Sequence, residues 1–117
     1  MSRTERINEL LRDELSVLVN KEINVDGCLV TISYVKCSSD LRHAKIGVRS
    51  LPEHKLGTVL RELRKHNMSF ARTLNKRLKL KYMPHFRWVA DVSGRNFDKI
   101  EEILRKIKEE ESYEQNN

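Results

Sequence analysis

The sequence predicts one α+β domain in which helices pack on a small sheet. Its 117 residues match the size of a single domain. Helical and strand periodicities follow one another in the order helix, strand, strand, helix, helix, strand, helix, without an internal repeat or an interior linker. We expect the domain to span residues 1–108 and a polar, acidic, frayed tail to occupy residues 109–117.

The first helix is predicted over residues 3–21. Apolar side chains recur on one helical face, at Ile7, Leu10, Leu11, Leu15 and Leu18. Ser2 and Glu5 have the spacing of a capping box, which satisfies backbone N–H groups at a helix start. Asp26-Gly27 then predicts a turn.

Two strands follow the first helix. Residues 28–37 are rich in β-branched side chains, and residues 44–49 alternate between apolar and polar. The short turn at residues 38–41 predicts that the two strands pair antiparallel, with the Asp40 side chain capping the turn. For Tyr34 the pattern does not decide which face of the sheet the ring occupies.

Two further helices are predicted by apolar residues at helical spacing, namely Leu56, Val59, Leu60 and Leu63 in one and Phe70, Leu74 and Leu78 in the other. One unbroken helix would place Asn67 on the apolar face, where an unpaired amide is costly. Asn tolerates the left-handed conformation that ends helices, and Ser69 is a suitable cap for a new one. We therefore predict a break at residues 66–69, and Met83-Pro84 closes this unit.

The last strand and helix complete the domain. Phe86, Trp88, Ala90 and Val92 alternate with Arg87, Val89 and Asp91, which predicts a third strand whose two aromatic residues belong to the core. Ser93-Gly94 predicts a turn, and a final amphipathic helix is indicated by Phe97, Ile100, Ile103, Leu104 and Ile107.

Composition favours a reduced, cytoplasmic chain. Cys28 and Cys37 stand at the two ends of one predicted strand, about 30 Å apart, which is too far for a disulfide. The N-terminus lacks the apolar segment of a signal peptide, and no apolar run approaches the ~20 residues of a membrane span.

The net charge of +6 is concentrated in the middle of the sequence. Residues 54–87 contain ten basic residues and one acidic residue, so this stretch carries +9 and the rest of the chain −3. An ordinary solvated face mixes both signs, as the predicted last helix does. Helices without compensating acids repel themselves, which favours a polyanionic partner such as nucleic acid over a solvated face or a membrane surface.

Eleven residues are predicted to contact RNA. They lie on the hairpin, on the two central helices and just after them: Arg42, Lys45, Arg61, Arg64, Lys65, Asn67, Arg72, Lys76, Arg77, Lys79 and Lys81.

The order of elements is that of a type II KH domain, whose RNA-binding hallmark is a Gly-x-x-Gly loop between two helices. The glycines lie at positions 27, 47, 57 and 94, so this loop is absent. A KH-like domain without the loop resembles the ribosome-binding factor A family. Three stretches carry the resemblance, which covers residues 3–107: Arg3-Thr4-Glu5-Arg6-Ile7 with residues 12–16, Val30–Val35 with the turn Ser38-Ser39-Asp40-Leu41 running into Ala44-Lys45-Ile46, and Leu74–Trp88 with Asp91.

The resemblance implies a non-catalytic bacterial assembly factor, monomeric and without a cofactor. Such a factor binds the immature small ribosomal subunit and its rRNA, supports late rRNA processing, and matters most in the cold. A GTPase aids its release in some bacteria. The family has an Ala-x-Gly kink between the two helices, which falls here on His66-Asn67-Met68, where neither the alanine nor the glycine is present. The arginine that follows the family's kink is replaced by Ala71, and Arg72 lies one residue further on.

Two other functions remain open at this point, a general KH-type binder of single-stranded RNA and a basic module that docks an acidic protein. An enzyme is disfavoured, because no nucleophile or acid–base pair has a suitable spacing. A metal site is not expected either, since the histidines are scattered and the cysteines lack ligand spacing.

Overall fold

The structure, a computed structural model, describes residues 1–92 and 103–110. Its elements are α1 (Arg3–Glu22), β1 (Leu29–Cys37), β2 (His43–Leu51), α2 (Leu56–Lys65), α3 (Asn67–Leu78), β3 (His85–Ala90) and a helix over 103–110, called α4. A 3₁₀ turn at Glu53–Lys55 precedes α2. The predicted order of these elements is confirmed, whereas the turn predicted at Ser93-Gly94 and the start of the last helix lie outside the described residues.

Helix α1 begins with the predicted capping box. The Ser2 hydroxyl accepts a hydrogen bond from the Glu5 backbone N–H at 3.1 Å, and the Glu5 carboxylate accepts one from the Ser2 N–H at 3.3 Å. The helix packs on β1 through its apolar face, which consists of Ile7, Leu11, Leu15, Leu18 and Val19.

The three strands form one sheet in the order β1-β2-β3. The predicted hairpin is confirmed, because β1 and β2 are antiparallel. Strand β3 lies parallel to β2, and α2 and α3 provide the long connection that a parallel pair requires. Hydrogen bonds join β3 to the β2 strand at both ends, from the His85 N–H to the Arg42 carbonyl at 2.8 Å and from the Asp91 N–H to the Val48 carbonyl at 2.9 Å.

The two faces of the sheet differ in burial. Along β2, Ala44, Ile46 and Val48 are fully buried, whereas Lys45 between the first two and Arg49 after the last are exposed. Phe86 and Trp88 of β3 are buried in the same core, which confirms that these aromatic side chains are core residues. One face therefore packs against the helices, and the other presents its charged side chains to solvent.

The helix break is confirmed, but its chemistry differs from the prediction. Helix α2 ends at Lys65, His66 takes φ −93° and ψ 2°, and α3 begins directly at Asn67. Asn67 is therefore helical rather than left-handed, and Ser69 is an exposed residue inside α3 rather than its cap. The helical conformation of Asn67 and the exposed position of Ser69 have the same cause. The Asn67 side chain is hydrogen-bonded to Phe86 and Trp88 of β3, so it points inward and α3 begins at this residue.

The C-terminal helix continues further than the sequence predicts. Glu109 and Glu110, the first two residues of the expected tail, are still helical. The Glu110 carboxylate accepts a hydrogen bond from the Arg61 guanidinium at 2.9 Å, which holds this end of α4 against α2. Residues 111–117 lie outside the described part of the chain.

The two cysteines are free thiols at opposite ends of the β1 region. Cys37 is buried, and burial raises the pKa of its thiol. None of the helices in the described ranges is both long and apolar enough to cross a bilayer.

Candidate nucleic-acid interface

Helix α3 carries the clearest row of unopposed charge. Arg72 and Lys76 are exposed on the side of the helix opposite the buried Phe70 and Leu74, and the exposed Lys79 follows as the helix C-cap, in the left-handed conformation with a φ of 50°. Among the described residues, no acidic side chain lies within ion-pairing distance of these three cations. No described acidic side chain therefore neutralises this row.

The basic face of α2 is more compensated than its sequence suggests. Arg61 pairs with Glu110 of α4 at 2.9 Å, and Lys65 pairs with Glu62 at 3.3 Å. Arg64 is exposed, and its guanidinium donates to the Trp88 carbonyl at 3.4 Å. The premise that these helices lack compensating acids is thus wrong for α2, because a partner comes from a helix about fifty residues away in the sequence.

The predicted cations at the end of α3 also differ among themselves. Arg77 pairs with Glu14 of α1 at 3.2 Å, and the Glu14 carboxylate is mostly buried. The Lys81 ammonium lies 5.6 Å from the centre of the Tyr82 ring, as a cation–π pair. Arg77 therefore ties α3 to α1, whereas Lys81 stays at the exposed surface.

The hairpin turn is shaped by Asp40, as predicted. Its carboxylate accepts hydrogen bonds from the Ser38 hydroxyl at 2.6 Å and the Arg42 N–H at 3.1 Å. Both hydrogen bonds lower the pKa of the Asp40 carboxyl, and the bond from the Ser38 hydroxyl has the larger effect. Leu41 takes a positive φ of 60° in the turn, and Arg42 is exposed at its end.

Asn67 has a structural role at the helix break, where its side chain is hydrogen-bonded to β3. Its side-chain carbonyl accepts the hydrogen bond of the Trp88 indole N–H, and its amide donates to the Phe86 carbonyl at 3.5 Å. The indole is 1% exposed, so the hydrogen bond satisfies a buried donor. Asn67 is itself half-buried.

An open groove of about 930 Å³ brings together residues from all three strands, α2, α4 and the start of α3. Its lining includes three of the predicted residues, Lys45, Arg64 and Asn67. It also includes three cations that the sequence prediction did not assign: Lys36, Arg87 and Lys108. The outward positions of Lys36 and Arg87, next to buried strand residues, were the available signal. Only the sheet register shows that these two residues lie on either side of Lys45.

The described residues form no group of three or more His, Cys, Asp or Glu side chains that would hold a metal ion. The four histidines belong to different parts of the fold. Two of them, His43 and His85, are neighbours across β2 and β3 with ring centres 6.3 Å apart.

A three-stranded sheet covered by helices on one face, with a helix break where a Gly-x-x-Gly loop would stand, defines a KH-like α+β domain with a basic surface. Comparison with known proteins narrows this class. The family model described as ribosome-binding factor A matches residues 3–104, and the chain belongs to that family.

Individual relatives agree with this assignment. The ribosome-binding factor A of Opitutus terrae is 32% identical over 107 residues, covering 91% of this chain and 88% of the relative. That of Chloroherpeton thalassium is 34% identical over 113 residues, covering 94% and 90%. Coordinates of the Thermus thermophilus protein, fitted into a cryo-electron microscopy map of a 30S complex, match with a TM-score of 0.65 at 17% identity, over 75% of this chain and 94% of that one. This last similarity is one of fold.

Proposed function

We propose that this protein binds the small ribosomal subunit through its rRNA and acts there as a non-catalytic assembly factor in the cytoplasm. The observation that carries the proposal is the exposed row of Arg72, Lys76 and Lys79, which has no acidic partner among the described residues. Family membership supports it, as does the similarity in fold to a protein fitted into a 30S complex. Within this proposal the protein acts as a monomer during late rRNA processing, with its main effect in the cold, and a GTPase releases it.

Phosphate contacts explain how such a surface would work. Lysine and arginine side chains bind the phosphate backbone of RNA without reading its base sequence, so they supply affinity. The shape of the domain then determines which site on the rRNA is bound. The hairpin turn with Arg42 and the break at His66 give the surface a fixed outline. A rigid basic domain of this kind stabilises one arrangement of rRNA by binding it, and no chemical step is needed.

Co-sedimentation with purified ribosomal subunits tests the proposal. We expect binding to the small subunit, little binding to the large subunit, and a marked loss as salt is raised. If about six phosphates are neutralised, log affinity falls against log salt with a slope of roughly −4 to −5. The double variant Arg72→Glu with Lys76→Glu should abolish this binding while its thermal unfolding stays that of the parent.

The matched control reverses two charges on α1, Arg12→Glu with Lys21→Glu. Both residues are exposed, and α1 mixes acidic and basic side chains along its length. This control changes the net charge by the same amount and should retain subunit binding. Equal binding of the parent chain to any RNA would favour a general RNA binder, and full binding by the α3 variant would refute the role of its basic row.

A further inference from the structure

The open face of the sheet carries three cations in one row. Lys36 of β1 is paired in register with Lys45 of β2, and Lys45 is paired with Arg87 of β3. All three side chains are exposed. Because neighbouring strands lie about 4.8 Å apart, the row spans roughly 10 Å across the sheet.

Nothing within the strands balances this charge. Strands β1, β2 and β3, which all lie in the described part of the chain, contain no aspartate or glutamate. No described acidic side chain lies within ion-pairing distance of the three cations. Like charges directly opposite one another destabilise a sheet, so this row costs stability in the free protein. A bound polyanion would offset that cost.

An aromatic ring lies beside the row. Tyr34 is paired in register with Gly47, one position along the same face from Lys36 and Lys45. A Cβ atom on Gly47 would lie only 2.1 Å from Cε1 of the Tyr34 ring, so the ring extends across the bare backbone of the glycine. Tyr34 is half-buried, which leaves part of its surface open to solvent.

A bulge in β1 sets this arrangement. The register shifts by one residue between Ile32 and Tyr34, and the Ser33 hydroxyl donates to the Gly47 carbonyl at 3.2 Å. The shift keeps Ile32 and Val35 buried while turning Tyr34 to the open face. Burial and the nearby Asp91 carboxylate raise the pKa of the Tyr34 phenol, so the ring is neutral at physiological pH.

We propose that this face of the sheet binds single-stranded RNA, with a base stacked on Tyr34 and neighbouring phosphates on Lys36, Lys45 and Arg87. Proteins that bind single strands combine a positively charged surface along the nucleic-acid backbone with aromatic rings on which the bases stack. A base must be unpaired to stack on a protein ring, which favours a single strand over a duplex. The inference rests on the proposed function, since it names an unpaired segment of rRNA as the ligand of a second surface, separate from the α3 row.

The stacking partner is tested by binding of a labelled single-stranded oligoribonucleotide of about 10 nucleotides, measured by fluorescence anisotropy. The variant Tyr34→Phe keeps the ring and should bind as the parent does. The variant Tyr34→Leu loses the ring and should bind at least about fivefold more weakly. The same oligonucleotide annealed to its complement should bind the parent more weakly than the single strand does.

The cation row is tested by the salt dependence of the same binding. Replacing Lys36, Lys45 and Arg87 together by glutamine should make the slope of log affinity against log salt shallower by about 2, at roughly 0.7 per phosphate contact on a single strand. The matched control replaces Arg3, Arg12 and Lys21 of α1 by glutamine, which removes the same charge from another surface. That control should leave the slope unchanged.

A third measurement does not depend on any variant being folded. Ultraviolet crosslinking of the parent chain to the oligonucleotide, followed by mass spectrometry, should identify the peptide that contains Tyr34. No crosslink there, equal affinity for single strand and duplex, or unchanged binding by a folded Tyr34→Leu would each overturn the sheet-face proposal.

The experiments distinguish failure of the sheet-face RNA site from failure of the proposed subunit-binding function. If Arg72→Glu with Lys76→Glu abolishes co-sedimentation while the Tyr34 and row variants bind as the parent does, the sheet-face site is refuted and the subunit-binding function stands. If the parent crosslinks through Tyr34 yet never sediments with the small subunit, the assembly function is refuted and the RNA site stands.

Discussion

The hydrogen bond between Asn67 and Trp88 should be a main support of the helix break. The indole N–H belongs to a side chain that is 1% exposed, and Asn67 is the first residue of α3. The Asn67 amide also donates to the Phe86 carbonyl at 3.5 Å. Replacing Asn67 by alanine removes both bonds and leaves the indole donor buried without a partner.

The size of the effect follows from these contacts. A buried donor left unsatisfied costs about 1–3 kcal/mol, and the longer bond to Phe86 adds about 0.5 kcal/mol. Alanine regains about 0.5 kcal/mol through its higher helix propensity. We therefore expect Asn67→Ala to lower the free energy of unfolding by about 2 kcal/mol. For a domain of this size that corresponds to a fall in Tm of about 8 °C.

Chemical and thermal unfolding followed by circular dichroism measure this change. The matched control is Asn75→Ala, because Asn75 is an exposed residue of the same helix. It should leave stability unchanged or raise it by about 0.5 kcal/mol. In a Trp88→Phe background, which has no indole N–H, Asn67→Ala should cost about 1–2 kcal/mol less than in the parent. Costs that simply add in the double variant would refute the role of this hydrogen bond.

Two other predictions concern the sheet and the turn. Gly47→Ala should destabilise the fold by more than about 1 kcal/mol, since its Cβ would meet the Tyr34 ring at 2.1 Å. Gly57→Ala should cost less, since its Cβ would displace only the flexible carboxylate end of Glu110, together with its pair to Arg61; thermal unfolding compares the two. The pKa of Asp40 is lowered in the folded state, so its contribution to stability is present above its ordinary value of 3.8 and is lost as pH falls below that value. Asp40→Asn should therefore flatten the fall in Tm between neutral and acid pH, and parallel curves for the two proteins would contradict this.

Local features of the fold were predictable because they depend on neighbouring residues. The capping box of α1 needs only Ser2 and Glu5, and the hairpin needs only its short turn. The face occupied by Tyr34 was not predictable, since a bulge between Ile32 and Tyr34 shifts the alternation by one residue. The parallel pairing of β3 with β2 also depends on contacts about forty residues apart, which periodicity does not report.

The candidate site shows the same division between local and distant information. The exposure of Arg72 and Lys76 follows from helical spacing alone, whereas Lys79 lies just beyond α3 as its left-handed C-cap. The pairing of Arg61 with Glu110 depends on how α4 lies on α2, and it reduces the free charge that a linear count assigns to α2. The neighbourhood of Lys36, Lys45 and Arg87 required the register of three strands.

The Asn67 side chain joins the helix break to the strand that carries Arg87. Asn67 binds the Phe86 carbonyl and the Trp88 indole, and Arg87 lies between these two residues on β3. Because strand side chains alternate, the two aromatic rings point into the core while Arg87 points to the open face. Asn67 therefore fixes the start of α3 relative to the strand that carries Arg87. In the proposals made above, the α3 row and the sheet face bind the same RNA, and two such surfaces held rigidly together bind more tightly than either does alone, provided that their spacing matches the ligand. This hydrogen-bonded asparagine holds the helix break against β3 in a chain whose residues 66–68 are His, Asn and Met.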